Sequence, residues 1–296
     1  MEGINAIAVI DKPSGMTSHD VVSRVRRILG TRKVGHTGTL DPEATGVLPI
    51  CIGRATKVSD MLMLSDKEYI AAVQLGTVTD TQDIFGTVLE KRPTDGFSNE
   101  KLAEAVTRFT GEIDQVPPMY SAIKIGGKKL CDLARQGVEV ERKARRVNIY
   151  SIETSDVTND GFTMKVACSK GTYIRTLCHD IGEYLGCGAC MASLRRTKSS
   201  VFGIDEAITL EELETAVSGG SLSLVLRPID SVFAHLPRLA VNDEIDTRLR
   251  NGAPSTVAAQ CGEYRVYNAR GEFVAVGAVE RMNGRNKVSV VKYFGV

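Results

Sequence analysis

Short β-type runs alternate with amphipathic helical stretches through the first two thirds of this chain. That alternation predicts a mixed fold in which helices cover a sheet. A hairpin signal, Asn159-Asp160-Gly161, separates the run 145–157 from the alternating residues Phe162, Met164, Val166 and Cys168, which predicts antiparallel pairing with one buried face. From about Leu236 the patterning changes to short strand-like runs at 264–267, 273–277 and 288–294, divided by turns. Those runs predict a small second unit built as a β-barrel.

At 296 residues the chain is long for one domain, so a large domain with a small companion is expected. A composition of 43% hydrophobic and 25% charged residues is that of a soluble globular protein. No apolar run approaches the roughly 20 residues that span a bilayer. The N-terminus lacks the basic and apolar regions of a signal peptide, so the cytoplasm is the expected compartment. Seven scattered cysteines fit reduced thiols better than a disulfide framework. A net charge of +1 means that nucleic-acid binding would rest on local patches. The absence of Trp and an aromatic content of 5% weigh against a broad base-stacking platform.

Residues 6–10 read as a short strand, and Asp11-Lys12-Pro13-Ser14-Gly15 turns the chain. Thr17, with Asp20 three residues on, has the form of a capping box that opens a helix. Val21, Val22, Val25, Ile28 and Leu29 share one face of it, and Gly30 suits the position just past its end. Arg24, Arg26, Arg27, Arg32 and Lys33 occupy the other face and the next turn, as either a solvated surface or a phosphate-contacting patch. Residues 47–52 read as a strand, 54–64 as a helix with Val58, Met61 and Leu62 inward, 67–75 as a strand and 86–91 as its return. Leu102, Val106 and Phe109 mark a helix stopped at Gly111.

Residues 124–146 form a basic insertion with Lys128, Lys129, Arg135, Arg142, Lys143, Arg145 and Arg146, in which Gly126-Gly127 and Gly137 are candidate hinges. Ile174, Leu177, Cys178, Ile181 and Leu185 face inward on a helix that Gly186 ends. Arg175 stands at the start of that helix among apolar neighbours, a placement that calls for a carboxylate or phosphate partner. Cys187-x-x-Cys190, near Cys178 and His179, lacks the ligand set of a zinc site and reads as free thiols, so no metal is expected. A further helix is expected over 207–217.

One stretch stands apart: Gly35-His36-Thr37-Gly38-Thr39-Leu40-Asp41-Pro42-Glu43-Ala44-Thr45-Gly46-Val47-Leu48-Pro49. Three glycines and two prolines in fifteen residues argue against a regular helix or a central strand. Pro42 pushes the backbone of Asp41 toward extended conformations. Such a loop is either a turn whose aspartate caps a neighbour or a scaffold for reactive side chains.

This stretch resembles the catalytic loop of the TruB-type tRNA pseudouridine-55 synthases. Further matching motifs are Asp11-Lys12-Pro13, Lys67-Glu68-Tyr69, Thr79-Asp80-Thr81-Gln82-Asp83 with Gly86, Gln115-Val116-Pro117-Pro118-Met119-Tyr120-Ser121-Ala122, Gly171-Thr172-Tyr173-Ile174-Arg175 and Leu194-Arg195-Arg196. The resemblance runs from Val9 to the C-terminus and is strongest to about Ile204. It implies an α+β pseudouridine synthase fold, a mixed, mainly antiparallel sheet flanked by helices, with a small PUA-like β-barrel beside it. It implies a catalytic domain over 1–235, with the insertion as a mobile RNA-clamping thumb, and an RNA-binding domain over 236–296. The residues alone also fit a surface loop with a short helix for the insertion and a structural cap for the barrel.

The implied activity is isomerisation of the T-arm uridine at position 55 of tRNA to pseudouridine. The glycosidic bond breaks, the uracil turns and its C5 rejoins the ribose, which needs neither a redox step nor a group donor, so no cofactor is expected. A carboxylate suits the nucleophile because it is ionised at neutral pH, an aspartate in water titrating near about 3.9. The resemblance makes Asp41 that nucleophile, Arg175 its partner, and Tyr69 the residue that stacks on the uracil and accepts or relays the C5 proton. Flipping the base out of the folded T arm costs a few kcal/mol, and His36 is expected near the vacated stack. Lys12, Asp83, Leu194, Lys128, Lys129, Arg142 and Lys143 complete the expected substrate and RNA contacts. The expected partner is tRNA, met by a monomer without an obligatory protein partner or a membrane. Two rival readings differ: a guide-RNA-dependent synthase is usually longer and works in a larger particle, and a non-catalytic tRNA-folding or RNA-binding protein would lack the loop aspartate.

Overall fold

A computed structural model describes residues 3–295. The elements in order are β1 (Ala6–Lys12), α1 (Ser18–Leu29), β2 (Val34–His36), β3 (Thr45–Ile52), a 3-10 turn (Gly53–Val58), α2 (Ser59–Met63), β4 (Lys67–Leu75), β5 (Thr77–Thr79) and β6 (Val88–Lys91). There follow α3 (Asn99–Phe109), β7 (Gly111–Gln115), β8 (Lys124–Ile125), β9 (Lys128–Lys129), α4 (Leu130–Ala134), β10 (Arg145–Ser155), β11 (Gly161–Cys168), α5 (Ile174–Leu185), β12 (Ala189–Ser199) and β13 (Phe202–Gly203). The remainder is α6 (Leu210–Ser218), α7 (Leu222–Val225), β14 (Leu226–Arg227), β15 (Arg238–Ala240), α8 (Asp243–Arg250), β16 (Ser255–Thr256), β17 (Gly262–Tyr267), β18 (Phe273–Met282) and β19 (Arg285–Tyr293).

Among the described residues, ten strands form one sheet in the order β14-β1-β3-β12-β4-β11-β10-β7, with β2 on β3 and β13 on β12. Its pairings are antiparallel except where β12 meets β3 at Arg195–Thr45 and Arg196–Gly46. That parallel crossing depends on glycine. Gly46 has φ +102°, and a Cβ there would lie 2.2 Å from the Arg196 carbonyl oxygen. The expected α+β architecture is the one observed, with helices on a mixed, mainly antiparallel sheet.

The helices bury the faces that their periodicity marks. Thr17 and Asp20 make both halves of a capping box on α1, and Gly30 ends it in the left-handed conformation. Val21, Val22, Val25 and Leu29 pack with Leu210 and Leu213 of α6 on Ala8, Ile10, Leu48 and Ile50 of the sheet. Leu177, Cys178, Ile181 and Leu185 of α5 join Leu102 and Ala105 of α3 over Ala71, Val73, Met164 and Val166.

Five further strands form a curled, PUA-like sheet in the order β15-β17-β18-β19-β16, with bulges at Val266/Tyr267 and Val276/Gly277 that bend it. This unit does not stand free of the large sheet. Val276 and Phe294 share a buried cluster with Ile7, Val9, Val47 and Phe233. The Phe273 ring lies 5.3 Å from Phe294 and 6.0 Å from Phe233. A fully buried phenylalanine contributes about 1.5–3 kcal/mol, so the curled sheet completes the core beneath β1 and β3.

Several local expectations are corrected. Residues 45–52 are a central strand despite Gly46 and Pro49. Pro49 accepts a hydrogen bond from Thr37 N at its carbonyl, on the side where β3 is free between β12 and β2, so its missing N–H leaves no ladder bond unmade. Residues 54–64 divide between a 3-10 turn and the short α2, which turns Met61 outward at 38% exposure while Val58 and Leu62 stay buried. Gly126 and Gly127, with φ +57° and +84°, form the tight turn of the β8–β9 hairpin. Among the described residues, no helix is long and apolar enough to cross a membrane.

Candidate active site

Asp41 lies in the loop between β2 and β3, and the loop is fastened from several directions. Lys12 Nζ donates to the carbonyls of Pro13, Met16 and Pro42 at 2.6–2.8 Å, and Gly15 N also donates to Pro42 at 3.0 Å. Ser18 Oγ accepts from Leu40 N at 2.9 Å, and Ala44 N closes a turn onto the Asp41 carbonyl at 3.1 Å. The backbone on both sides of Asp41 is therefore held, while its carboxylate remains 40% exposed.

The sequence expectation that Lys12 contacts RNA is corrected by its surroundings. Its side chain is fully buried, and its three N–H bonds all go to backbone carbonyls. Burial pulls its ammonium down to about 8, with Glu43 and Asp41 acting the other way. Lys12 is a strut beneath the loop.

Arg175 enters from the first turn of α5, where the helix dipole disfavours a cation. Two carboxylates offset that cost. Nε lies 3.0 Å from Asp41 Oδ2 and Nη2 3.3 Å from Oδ1, and Nη1 lies 3.6 Å from Asp83 Oδ2. Nη1 also donates to the Thr81 carbonyl at 2.9 Å and Nη2 to the Tyr120 carbonyl at 2.8 Å. The guanidinium is thus the meeting point of the Asp41 loop, the Thr79–Gly86 loop and the Pro117-Pro118-Met119-Tyr120 segment. Asp83 is oriented by Thr81 Oγ1 at 2.7 Å and Phe85 N at 3.1 Å. Gln115, 2% exposed, clasps both backbone groups of Tyr173 at 2.8 and 3.0 Å and so docks that segment on the start of α5.

Tyr69 lies on β4 in the middle of the sheet, at 9% exposure. Burial pushes its phenol above the ordinary value, and the Arg196 guanidinium acts the other way. Arg196 stands directly opposite Tyr69 across the β4–β12 ladder and is 1% exposed. Its Nε donates to the Val47 carbonyl at 2.7 Å and its Nη2 to the Gly38 carbonyl at 3.2 Å. The imidazole Nδ1 of His36 accepts from Gly38 N at 3.3 Å, and burial, followed by Arg196 and His19, holds the ring below its ordinary pKa. His36 is then neutral near pH 7, with its proton on Nε2.

The structure therefore gathers Asp41, Tyr69, Arg175, His36 and Asp83 around one site. Leu194, 9% exposed, stands opposite Ala71 on the β4–β12 ladder, within the same apolar cluster as Tyr69. Lys128 and Lys129 are exposed on the insertion. Arg142 is more engaged than its sequence suggested, with Nη1 on the Pro117 carbonyl and Nη2 on Glu139, both at 3.3 Å. Lys143 is exposed. On α1, Arg24 pairs with Glu214 and Arg26 donates to the Val34 carbonyl, so the expected basic face is partly tied up internally. Among the described residues, no group of three His, Cys, Asp or Glu side chains is arranged to hold a metal ion. Cys178, Cys187 and Cys190 are buried free thiols.

Arg196 and Gln115 were quoted within matching motifs but were given no role from the sequence. A signal for Arg196 existed: successive side chains on a strand point to opposite faces, so Arg195 and Arg196 cannot both reach solvent from a central strand. Arg195 takes the outward course and pairs with Asp11 at 2.7 Å.

A family model described as TruB family pseudouridylate synthase (N terminal domain) matches residues 26–174, and one described as tRNA pseudouridylate synthase B C-terminal domain matches residues 175–234. A tRNA pseudouridine synthase B of Clostridioides difficile is 46% identical over 288 residues, covering 97% of this chain and 95% of that one. One of Alkaliphilus oremlandii is 47% identical over 291 residues and covers 96% of each chain. Among solved structures, a chain of an H/ACA RNP bound to a substrate RNA containing 2'-deoxyuridine aligns with a TM-score of 0.72 at 27% identity, over 98% of this chain and 85% of that chain. A chain of a Cbf5-Nop10-Gar1 complex aligns with a TM-score of 0.72 at 29% identity, over 98% and 84%.

Proposed function

This chain belongs to the TruB family of pseudouridylate synthases, and on that premise we propose that it isomerises the uridine at position 55 in the T arm of tRNA, with Asp41 as nucleophile. The observation that carries the assignment is the unequal Asp41–Arg175 pair, a 40% exposed carboxylate gripped by a guanidinium that is 6% exposed. A charge held at the surface of a fixed loop is free to meet a substrate, and its buried partner sets its direction.

The target base leaves the T-arm stack, and its ring lies against Tyr69. The Asp41 oxygen forms the covalent bond that retains one fragment while the N1–C1′ bond breaks. The uracil turns, C5 bonds to C1′, and the carboxylate departs. Arg175 keeps Asp41 aimed through these steps, and Asp83 holds Arg175 from the far side. Neutral His36 offers its Nε2–H to the RNA beside the site. Lys128, Lys129 and Lys143 on the insertion meet phosphates, and the 236–296 unit extends the RNA surface. No step draws on a cofactor. The enzyme acts as a monomer in the cytoplasm, with tRNA as its partner.

The relatives at 46–47% identity over nearly the whole chain favour a stand-alone tRNA enzyme over a guide-dependent one. Purified protein incubated with an unmodified tRNA transcript, followed by pseudouridine mapping, tests the reading. Conversion at position 55 without a guide RNA is expected, and no conversion, or conversion only with a guide, would overturn it.

A further inference from the structure

Two buried arginines lie in this site, and they are partnered differently. Arg175 faces two carboxylates. Arg196, at 1% exposure, donates to the carbonyl oxygens of Val47 and Gly38, reaches the Tyr69 phenol, and forms no ion pair among the described residues. A buried charge without a counter-charge costs several kcal/mol, more than two neutral acceptors return. The ionisable group directly opposite Arg196 on the adjoining strand is Tyr69, whose Cβ on the same face is about 5 Å away in such a pair.

We propose that Arg196 is a positioning residue for the proton-abstraction step, its guanidinium fixing both ends of the Asp41 loop and serving as the counter-ion of a Tyr69 phenolate. The proposal rests on the reading of Tyr69 as the acceptor of the C5 proton. Once the Asp41 oxygen has left and C1′ is bonded to C5, that carbon still carries a proton. The C5–H electron pair forms the ring C5=C6 bond, the C6=N1 pair moves to N1, and N1 takes up a proton from solvent. The C5 proton passes to the Tyr69 oxygen.

The geometry joins two tasks in one side chain. Gly38 precedes Asp41 and Val47 follows it, so Arg196 holds the loop on both sides of the nucleophile. Burial opposes the phenolate, and Asp41 from the loop and Cys168 from β11 oppose it too, whereas Arg196 favours it. The cations nearest Arg196 have other occupations: Lys67 donates to the carbonyls of Leu62 and Met63, and Lys12 to those named above. His36 is held neutral.

The test measures single-turnover pseudouridine formation against pH, with ordinary and 5-deuterated uridine in the tRNA. Arg196→Met removes the charge and the donors. Citrulline placed at position 196 by an expanded genetic code keeps Nε–H and a terminal amide, removes only the charge, and is easier to bury, so folding is preserved. The citrulline variant is expected to lose on the order of 10²-fold in rate, as for loss of one general base. Its activity limb should move to higher pH and a C5 deuterium effect should emerge, with tRNA affinity within a few-fold of wild type. Arg196→Lys, which keeps a cation, should hold the limb near its wild-type position. A citrulline variant with wild-type rate and pH profile, or a slowed one with neither limb shift nor isotope effect, would overturn the proposal while Tyr69→Phe stays inactive. Full activity in Tyr69→Phe would instead overturn the proton-acceptor assignment, and this proposal with it.

Discussion

Arg175 grips Asp41 through two nitrogens, yet it would stay in place without it. Its Nη1 and Nη2 also bond the Thr81 and Tyr120 carbonyls, and Asp83 lies 3.6 Å away. Asp41→Asn keeps the size of the side chain and removes its charge. It is expected to abolish pseudouridine formation, to leave the unfolding midpoint nearly unchanged, and to keep tRNA affinity within a few-fold, because phosphate contacts dominate binding. Arg175→Met is expected to abolish activity and to destabilise as well. Breaking a buried pair costs about 3–5 kcal/mol, and the exposure of Asp41 lowers that toward the bottom of the range. Turnover assays with urea denaturation separate the two variants. Substantial pseudouridine formation by Asp41→Asn would remove the carboxylate mechanism.

Gly46 is expected to tolerate no side chain. Its φ of +102° disfavours an L residue, and a Cβ would lie 2.2 Å from the Arg196 carbonyl oxygen and 2.8 Å from its nitrogen, both backbone atoms. Gly46→Ala therefore forces β3 and β12 apart at the point where Arg196 reaches the loop. A loss of at least about 1–3 kcal/mol is expected from overpacking alone. Activity should fall further than stability, because the Val47 contact of Arg196 shifts with the strand. A melting temperature and rate equal to wild type would show that the crossing is not tight in solution.

The basic insertion divides into free and engaged cations. Lys128, Lys129 and Lys143 are exposed, whereas Arg142 is held by Pro117 and Glu139. Neutralising the three lysines is expected to weaken tRNA binding and to flatten its salt dependence by roughly 0.7–0.9 for each phosphate no longer met by a cation. Arg142→Gln is expected to change the slope less and to loosen the insertion, visible as faster proteolysis near Gly137. Equal slope changes from all four positions would mean that Arg142 leaves its internal partners when RNA binds.

Much of this was legible in the sequence because local rules and packing agree. The capping box at Thr17, the glycine ends of α1 and α5, and the alternation of β11 are each decided by neighbours in the chain. The residues alone said that a cation at an apolar helix start calls for a carboxylate or phosphate, and the resemblance implied that Asp41 is that partner. What stayed hidden depends on contacts distant in sequence. Lys12 reads as a surface lysine until Met16 and Pro42 are placed above it. Pro49 reads as a strand breaker until its unpaired edge is known. The boundary near Leu236 marks a change of pattern, but Phe273 and Phe294 return to the core under β1 and β3. Deleting 236–296 would therefore strip that core, so a loss of stability is expected beside any binding defect.

Asp180, on α5 beyond Arg175, yields a prediction about stability alone. Burial first, and Glu183 second, push its carboxyl up to about 6. The neighbouring Glu183 has a cationic partner in Arg92, at 2.9 Å, whereas Asp180 forms no ion pair among the described residues. The unfolded carboxyl titrates near about 3.9. Between about pH 4 and pH 6 the folded chain therefore holds a proton that the unfolded chain has released, so stability from this group falls as pH rises through that window and stays reduced above it. A shift of two units corresponds to about 2.7 kcal/mol, which solvent screening of a part-exposed group lowers to about 1–2 kcal/mol. Asp180→Asn abolishes the titration. Urea unfolding should show the variant more stable than wild type by about that amount at pH 7.5, the gain shrinking toward zero near pH 4. Comparing variant with wild type at each pH cancels the other titrating groups, including His179. A variant less stable than wild type at pH 7.5 would mean that the Asp180 charge is compensated in the folded state.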